Sequence, residues 1–192
     1  MKKKLKEDLE AALLKIKRLS NNGNKKTGFF IGNTVKIGQK GFYFMPIRET
    51  NIIVTSGTVV CDEKSAIEIA QTIDGNVDYV LVDVEKKIPS NNPNELANIE
   101  KVVREKIIKS KIWVYKANDI TVDAIDLLLV QFTKNDSRGM GGKKVAIIGS
   151  GNIGSKIALK LVERGAKIFI TRRDRKKLKL IAEAINLIKP LY

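Results

Sequence analysis

The feature that most limits how this chain can fold is a glycine-rich segment between two kinds of hydrophobic pattern. An apolar run over residues 143–148 comes before it, and apolar residues at helical spacing follow as far as Gly165. A second apolar run, 167–170, comes next. This order predicts a strand, a tight turn, a helix and another strand within roughly 30 residues. The turn consists of Gly149, Ser150, Gly151, Asn152, Ile153 and Gly154.

Each of the three glycines in this turn meets a requirement of phosphate binding. Gly149 permits the tight turn, Gly151 lets a pyrophosphate approach the backbone, and Gly154 lets the helix pack close to the sheet. The free N–H groups at the helix start and the positive end of its dipole favour a bound phosphate. The segment therefore predicts a dinucleotide-binding site, and the alternative is a glycine-rich turn that binds nothing.

The end of the second strand distinguishes NAD from NADP. Proteins that bind NAD place Asp or Glu there, where the carboxylate accepts hydrogen bonds from the ribose hydroxyls. Here the strand leads into Thr171, Arg172 and Arg173, with no carboxylate at its tip. A guanidinium group can bind a 2′-phosphate through two hydrogen bonds. We therefore expect NADP rather than NAD, with Arg172 as the contact and Arg173 as the alternative. The alternative is a basic helix start with Asp174 as its N-cap.

Before the glycine-rich segment, helix and strand patterns alternate along the chain, which predicts an α/β domain with a largely parallel sheet. Pro46 argues against a central position for its strand, and Gly38 and Gly41 indicate turns. The predicted strands cover 51–55, 77–84 and 111–115, with a turn at Ser56 and Gly57. The predicted helices cover 5–19, 62–73, 96–107 and a stretch from Thr121, with Asp62 and Thr121 as N-caps.

The polar, glycine-rich stretch 134–142 predicts a linker between two domains. We expect an N-terminal α/β domain over residues 1–135 that binds a substrate, and the first half of a Rossmann dinucleotide-binding domain over 143–192. A complete domain of this kind uses about six strands. We therefore expect a fragment of a longer oxidoreductase. The alternative is a non-catalytic protein that binds or senses a dinucleotide.

Composition excludes several classes of chemistry. The 192 residues include no histidine and one cysteine, Cys61, which excludes a Ser-His-Asp triad, an intramolecular disulfide and most zinc sites. The formal charge of +15 comes from lysines spread along helices without interleaved aromatics, so we favour a solvated surface over nucleic-acid binding. No apolar run reaches the ~20 residues of a membrane span. We expect a cytoplasmic enzyme with a small-molecule substrate and no metal. A homo-oligomer is compatible with the sequence.

Candidate catalytic residues follow the predicted strands of the first domain, because α/β sheets bind ligands at the carboxyl ends of their strands. Asp83 and Glu85 leave one strand two residues apart, and Lys86 and Lys87 follow at once. A lysine beside carboxylates can transfer the proton that accompanies hydride transfer at a carbonyl. Asp119, expected at the end of the next strand, could orient it. The alternative is a group of solvated charges at strand ends.

Residues 112–177 resemble the shikimate/quinate dehydrogenase and glutamyl-tRNA reductase group of two-domain NAD(P)-dependent dehydrogenases. The resemblance rests on the turn at 116–119, the helix that follows, the linker and the glycine-rich turn. It implies a Rossmann domain, and 171–173 approximate the NADP motif of the group. The proline–histidine–lysine segment of the shikimate enzymes is absent, and Cys61 lacks the surroundings of the reductases' nucleophilic cysteine. The resemblance therefore implies no particular substrate.

Overall fold

The structure, a computed structural model, describes residues 3–35, 42–90 and 94–188. It divides into two compact units, Met1–Ala117 and Asn118–Tyr192. None of the described helices has the length and hydrophobicity needed to cross a membrane. The first unit contains α1 (Lys3–Leu19), β1 (Lys26–Asn33), β2 (Phe42–Glu49), β3 (Ile53–Val60), α2 (Glu63–Ile73), β4 (Tyr79–Asp83), α3 (Ile99–Arg104) and β5 (Lys111–Tyr115). From Ala117 onward follow α4 (Ala117–Phe132), β6 (Lys144–Ile148), α5 (Asn152–Glu163), β7 (Lys167–Thr171) and α6 (Arg175–Ile188).

The N-terminal unit is an α/β domain with a mostly parallel sheet, as the sequence predicts. Its described strands form one sheet in the order β2-β3-β1-β4-β5. The strands β3, β1, β4 and β5 are parallel, and β2 pairs antiparallel with β3 at one edge. The edge strand contains Pro46 and a shift of register between Met45 and Arg48. Its position confirms that Pro46 does not lie in a central strand.

The helices of this unit cover one face of the sheet. Side chains alternate between the two faces along each strand, and Phe29, Ile31 and Val80 on one face join the buried cluster of α1, α2 and α3. The side chains of the opposite face are absent from that cluster among the described residues. Along β4, buried and partly exposed residues alternate for this reason. We call the second face the open face; it includes Phe30, Tyr79, Leu81, Trp113 and Tyr115.

One helix-cap prediction for this unit is confirmed, and one turn prediction is wrong. Asp62 caps α2, where its Oδ1 accepts a hydrogen bond from the Ser65 N–H at 2.7 Å. The turn predicted at Ser56 and Gly57 is wrong, because both residues lie inside β3. A Cβ at Gly57 would lie 2.5 Å from the carbonyl oxygen of Phe30, so the glycine serves close strand packing rather than a turn. The turns predicted at Gly38 and Gly41 lie outside the described residues.

The C-terminal unit has β6 and β7 as a parallel pair, joined by α5 in the predicted strand–turn–helix–strand order. Its apolar core also includes α4, since Val122 clusters with Met140 and Leu161. The unit boundary therefore precedes the predicted linker, and α4 belongs with the glycine-rich turn. Thr121 as a helix cap is wrong, because α4 begins at Ala117 and places an acidic residue in its first turn, where the helix dipole favours it.

Candidate functional site

The glycine-rich turn leaves the start of α5 without a side-chain cap. Gly149 has a φ of +94°, a backbone conformation that favours glycine. Ser150 is fully buried, and Gly151 is the N-cap residue of α5 and forms no side-chain cap hydrogen bond. The first N–H groups of a helix have no partner within the helix. The turn therefore presents N–H donors and the positive end of a helix dipole, which together bind anions.

Gly151 and Gly154 have opposite surroundings. A Cβ at Gly154 would lie 2.4 Å from the carbonyl oxygen of Gly149, so only glycine lets α5 approach the turn this closely. A Cβ at Gly151 would meet no protein atom within 4 Å. The space beside Gly151 is therefore open to a ligand. This is the arrangement expected for a pyrophosphate next to the backbone.

The end of β7 is hydrogen-bonded to the turn. The Thr171 hydroxyl oxygen accepts a hydrogen bond from the Gly149 N–H at 3.1 Å. The Thr171 carbonyl accepts two more, from the Ser150 N–H at 2.7 Å and from the Ser150 hydroxyl at 3.1 Å. These bonds hold the end of β7 against the glycine-rich turn.

The two candidate arginines point to different places. Arg172 is half-buried, and its Nη1 donates a hydrogen bond to the Ser150 carbonyl at 2.6 Å. Arg173 is exposed. Asp174 accepts a hydrogen bond from the Lys177 N–H at 3.0 Å, as an N-cap residue of α6 does. The strand tip therefore presents a guanidinium to the turn, and the nearest carboxylate along the chain caps the following helix.

These residues fit a phosphorylated dinucleotide. The backbone N–H groups at the start of α5 can hold phosphate oxygens, and Gly151 leaves the room that the phosphates need. Arg172 supplies a cation at the same turn. Asn152 and Ile153, the first two residues of α5, contribute backbone rather than side chains to this arrangement.

In the N-terminal unit, three of the predicted catalytic residues lie close together at the carboxyl end of β4. Asp83 is buried, and its Oδ2 lies 2.7 Å from the Lys87 ammonium. The same ammonium lies 2.8 Å from Glu85 Oε2. Burial alone would lower the pKa of Lys87, but its hydrogen bonds to Asp83 and Glu85 raise that pKa above its ordinary value. Lys87 is therefore a stable cation.

Lys86 and Asp119 lie elsewhere. Lys86 is exposed and lines a groove of about 690 Å³ with Ser90 and Lys101, so the two consecutive lysines diverge. Asp119 does not end a strand, which corrects the prediction for its position. It lies in the first turn of α4 and forms an ion pair with Lys156 of α5 within the C-terminal unit.

Sequence reasoning missed two polar residues beside Asp83. Asn33, at the end of β1, is buried and donates from Nδ2 to the Glu85 carbonyl at 2.9 Å. Burial and the charge of Asp83 raise the pKa of Tyr115, at the end of β5. Asn33 ends β1 and Tyr115 ends β5. Both residues lie near Asp83 because the carboxyl ends of parallel strands meet at one edge of the sheet. Among the described residues, no group of three or more acidic, cysteine or histidine side chains could hold a metal ion.

Comparison with known proteins relates part of the C-terminal unit to a family of oxidoreductases. Residues 144–190 match the family described as "NADP oxidoreductase coenzyme F420-dependent". No curated protein matches the sequence. Among solved structures, L-tryptophan dehydrogenase from Nostoc punctiforme is similar over 84% of this chain, with 12% identity and a TM-score of 0.46. The chain spans about half of the length of that enzyme, 50%.

The family match covers β6, the glycine-rich turn, α5, β7 and most of α6. This part of the chain is thus similar to a domain of NADP-dependent oxidoreductases. The narrower resemblance to the shikimate and quinate dehydrogenases finds no support in these comparisons.

Proposed function

We propose that the protein is an NADP-dependent oxidoreductase in which the glycine-rich turn binds the pyrophosphate of the dinucleotide. The observation that carries this proposal is the hydrogen bond from Arg172 to the Ser150 carbonyl. It holds a cation beside a helix start whose N-cap residue, Gly151, has no side chain. The match of residues 144–190 to an oxidoreductase family supports the same function.

Arg172 is the residue that we expect to favour NADP over NAD. Binding of a 2′-phosphate replaces the neutral Ser150 carbonyl with a charged acceptor for its guanidinium. A hydrogen bond between charged groups contributes about 1.5–3 kcal/mol. With NAD the same guanidinium meets a neutral hydroxyl. Since about 1.4 kcal/mol corresponds to a factor of ten, we expect a preference of ~10- to 100-fold.

For the substrate, we propose that Lys87 holds the proton of the reaction. A bound nicotinamide supplies or accepts the hydride, and the protein must supply or remove a proton. The protonated Lys87 ammonium can donate to a carbonyl oxygen that is being reduced, and Asp83 holds it in position. We propose that Lys86, which diverges from Lys87 and lines a separate groove, binds the small-molecule substrate rather than transferring the proton. Asp119, ion-paired with Lys156, is left out of this catalytic set.

The test is a binding titration of NADPH and NADH with the wild-type chain and two variants, Arg172→Ala and Arg173→Ala. The second variant is a matched control, because it removes the same charge from the next residue, which is exposed. We expect Arg172→Ala to lose the preference for NADPH and to keep its affinity for NADH. We expect Arg173→Ala to behave as the wild type.

Three results would contradict parts of the proposal. Equal wild-type affinity for NADPH and NADH would refute the assignment of NADP. Loss of the preference in Arg173→Ala alone would assign the contact to the other arginine. Failure of both dinucleotides to bind would refute the proposed function as a whole.

A further inference from the structure

The open face of the N-terminal sheet gathers aromatic side chains that lie far apart in the sequence. The pairing of β1, β4 and β5 places Phe30, Leu81 and Trp113 side by side on this face. Phe30 packs edge-on against Tyr115, with ring centroids 5.3 Å apart, and Tyr79 packs edge-on against Trp113 at 6.1 Å. Trp113 is 62% exposed. An aromatic surface of this kind is available to a planar ligand.

A cationic groove adjoins the pair formed by Tyr79 and Trp113. It has a volume of about 520 Å³, and its lining includes Tyr79 together with Lys26, Lys109 and Lys111. Lys26 forms an ion pair with Asp78 at 3.2 Å, which leaves the groove with an excess of positive charge. Lysine ammonium groups bind phosphate as point charges. The groove and the rings therefore place phosphate-binding and stacking groups next to one another.

We propose that the open face binds single-stranded nucleic acid, with bases on Tyr79 and Trp113 and the phosphate backbone in the lysine groove. This proposal departs from the sequence-based expectation of a solvated lysine surface, because strand pairing brings aromatic rings beside the lysines that the sequence does not interleave. Proteins that bind single strands combine aromatic stacking surfaces with a positively charged groove that follows the backbone. The net charge of +15 favours a polyanionic partner over a second, equally basic copy of the chain. The site consists of residues of the N-terminal unit alone, so the proposal does not depend on the proposed oxidoreductase function.

Trp113 makes the proposal directly measurable, because it is the only tryptophan in the chain. Its emission reports contact at this face when the full-length protein is titrated with 12-nucleotide oligo(dT) or oligo(U), without any label. We expect the oligonucleotide to quench the emission. Each phosphate contact contributes a slope of about −0.7 to log K against log salt for single strands. Since Lys26 is ion-paired with Asp78, the two other lysines predict a slope near −1.4, and affinity should fall ~7-fold between 50 and 200 mM salt.

Two pairs of matched variants separate stacking and groove contacts from general charge attraction. Tyr79→Ala should weaken binding ~5- to 100-fold, since stacking contributes about 1–3 kcal/mol per base, whereas Tyr79→Phe should bind as the wild type. Replacing Lys109 and Lys111 with Ala should reduce the salt slope by about 1.4. Replacing Lys15 and Lys17 with Ala removes the same charge from exposed positions of α1, on the covered face, and should leave the slope unchanged.

Four results would overturn the proposal. The first is no change in Trp113 emission together with no binding of a labelled oligonucleotide by anisotropy. The second is an equal effect of the two lysine pairs, which would indicate non-specific attraction. The third is an emission change that follows protein concentration rather than oligonucleotide, which would assign the face to a second copy. The fourth is displacement of the oligonucleotide by NADPH, which would place it on the dinucleotide turn.

Discussion

The contrast between Gly154 and Gly151 gives the sharpest prediction. In Gly154→Ala the new Cβ would lie 2.4 Å from the Gly149 oxygen, whereas carbon–oxygen contacts settle near ~3.3 Å. The turn must therefore move by roughly 0.9 Å, the difference between these distances. Overpacking of this kind costs about 1–3 kcal/mol, and the helix propensity of alanine offsets at most ~1 kcal/mol of that. Because the clashing oxygen belongs to the backbone and cannot rotate away, we take the upper end of that cost and expect a net loss of ~2 kcal/mol in the free energy of unfolding.

Gly151→Val should show the reverse pattern. No protein atom lies within 4 Å of its Cβ, and its φ of −81° suits any residue. The free energy of unfolding should fall by no more than ~1 kcal/mol, which is the cost of a poor N-cap residue. The branched side chain would nevertheless occupy the space that we assign to the pyrophosphate. Dinucleotide affinity should therefore drop by more than ~10-fold, or about 1.4 kcal/mol.

Urea denaturation of the full chain measures the free energy of unfolding, and titration with NADPH measures dinucleotide affinity. Gly154→Ala should lose stability, and its affinity should fall as the turn is displaced. Gly151→Val should lose affinity alone. The reasoning is refuted if Gly151→Val binds NADPH as tightly as the wild type, or if Gly154→Ala unfolds at the wild-type urea concentration.

Three further predictions concern charge and capping. Arg164 hydrogen bonds hold the pKa of Asp126 below its usual value, so their stabilisation is complete above the unfolded pKa of ~3.9 and is lost as pH falls through the folded value. Asp126→Asn should cost ~1–2 kcal/mol at pH 7 and reduce acid sensitivity, as measured by urea denaturation across pH. The pKa of Lys87 is raised, so its contribution is present below the unfolded pKa of ~10.4 and is lost as pH rises further. Lys87→Met leaves Asp83 buried beside Glu85 without this cation, and it should lower the free energy of unfolding by ~2–4 kcal/mol at neutral pH. The variant should also lose less stability than the wild type as pH rises above ~10.4. Asp62→Ala should cost ~0.5–2 kcal/mol by removing the cap of α2, and Asp62→Asn should restore most of it in thermal unfolding.

The conformation of the glycine-rich turn was predictable because its information is local. The strand, turn and helix follow one another in the sequence, and every residue of the turn was named from spacing alone. The sequence favoured Arg172 but left Arg173 as a rival, because both leave the same strand tip. Only the position of the Ser150 carbonyl distinguishes them.

The features that sequence reasoning missed depend on register between strands. The Ser56–Gly57 pair is typical of a turn in sequence, but glycine is required at position 57 because a Cβ there would clash with Phe30 on the neighbouring strand. Asn33 reaches the segment after β4 only because β1 and β4 pair in parallel. The aromatic residues of the open face are likewise dispersed along the chain, and pairing of the strands brings them together. Periodicity within one segment carries no information about such contacts.

The inclusion of α4 in the C-terminal core has a consequence for how this chain can be divided or recombined. A piece that starts at residue 143 would retain Ile157 and Leu161 but lose α4, whose Val122 packs with them. It would also separate Arg164 from Asp126, the carboxylate that it binds at 2.7 and 2.8 Å. A piece that starts before Ala117 keeps both sets of contacts. The structural unit that contains the glycine-rich turn is therefore longer than its sequence motif, and a gene fusion that transfers the motif alone would transfer an incomplete core.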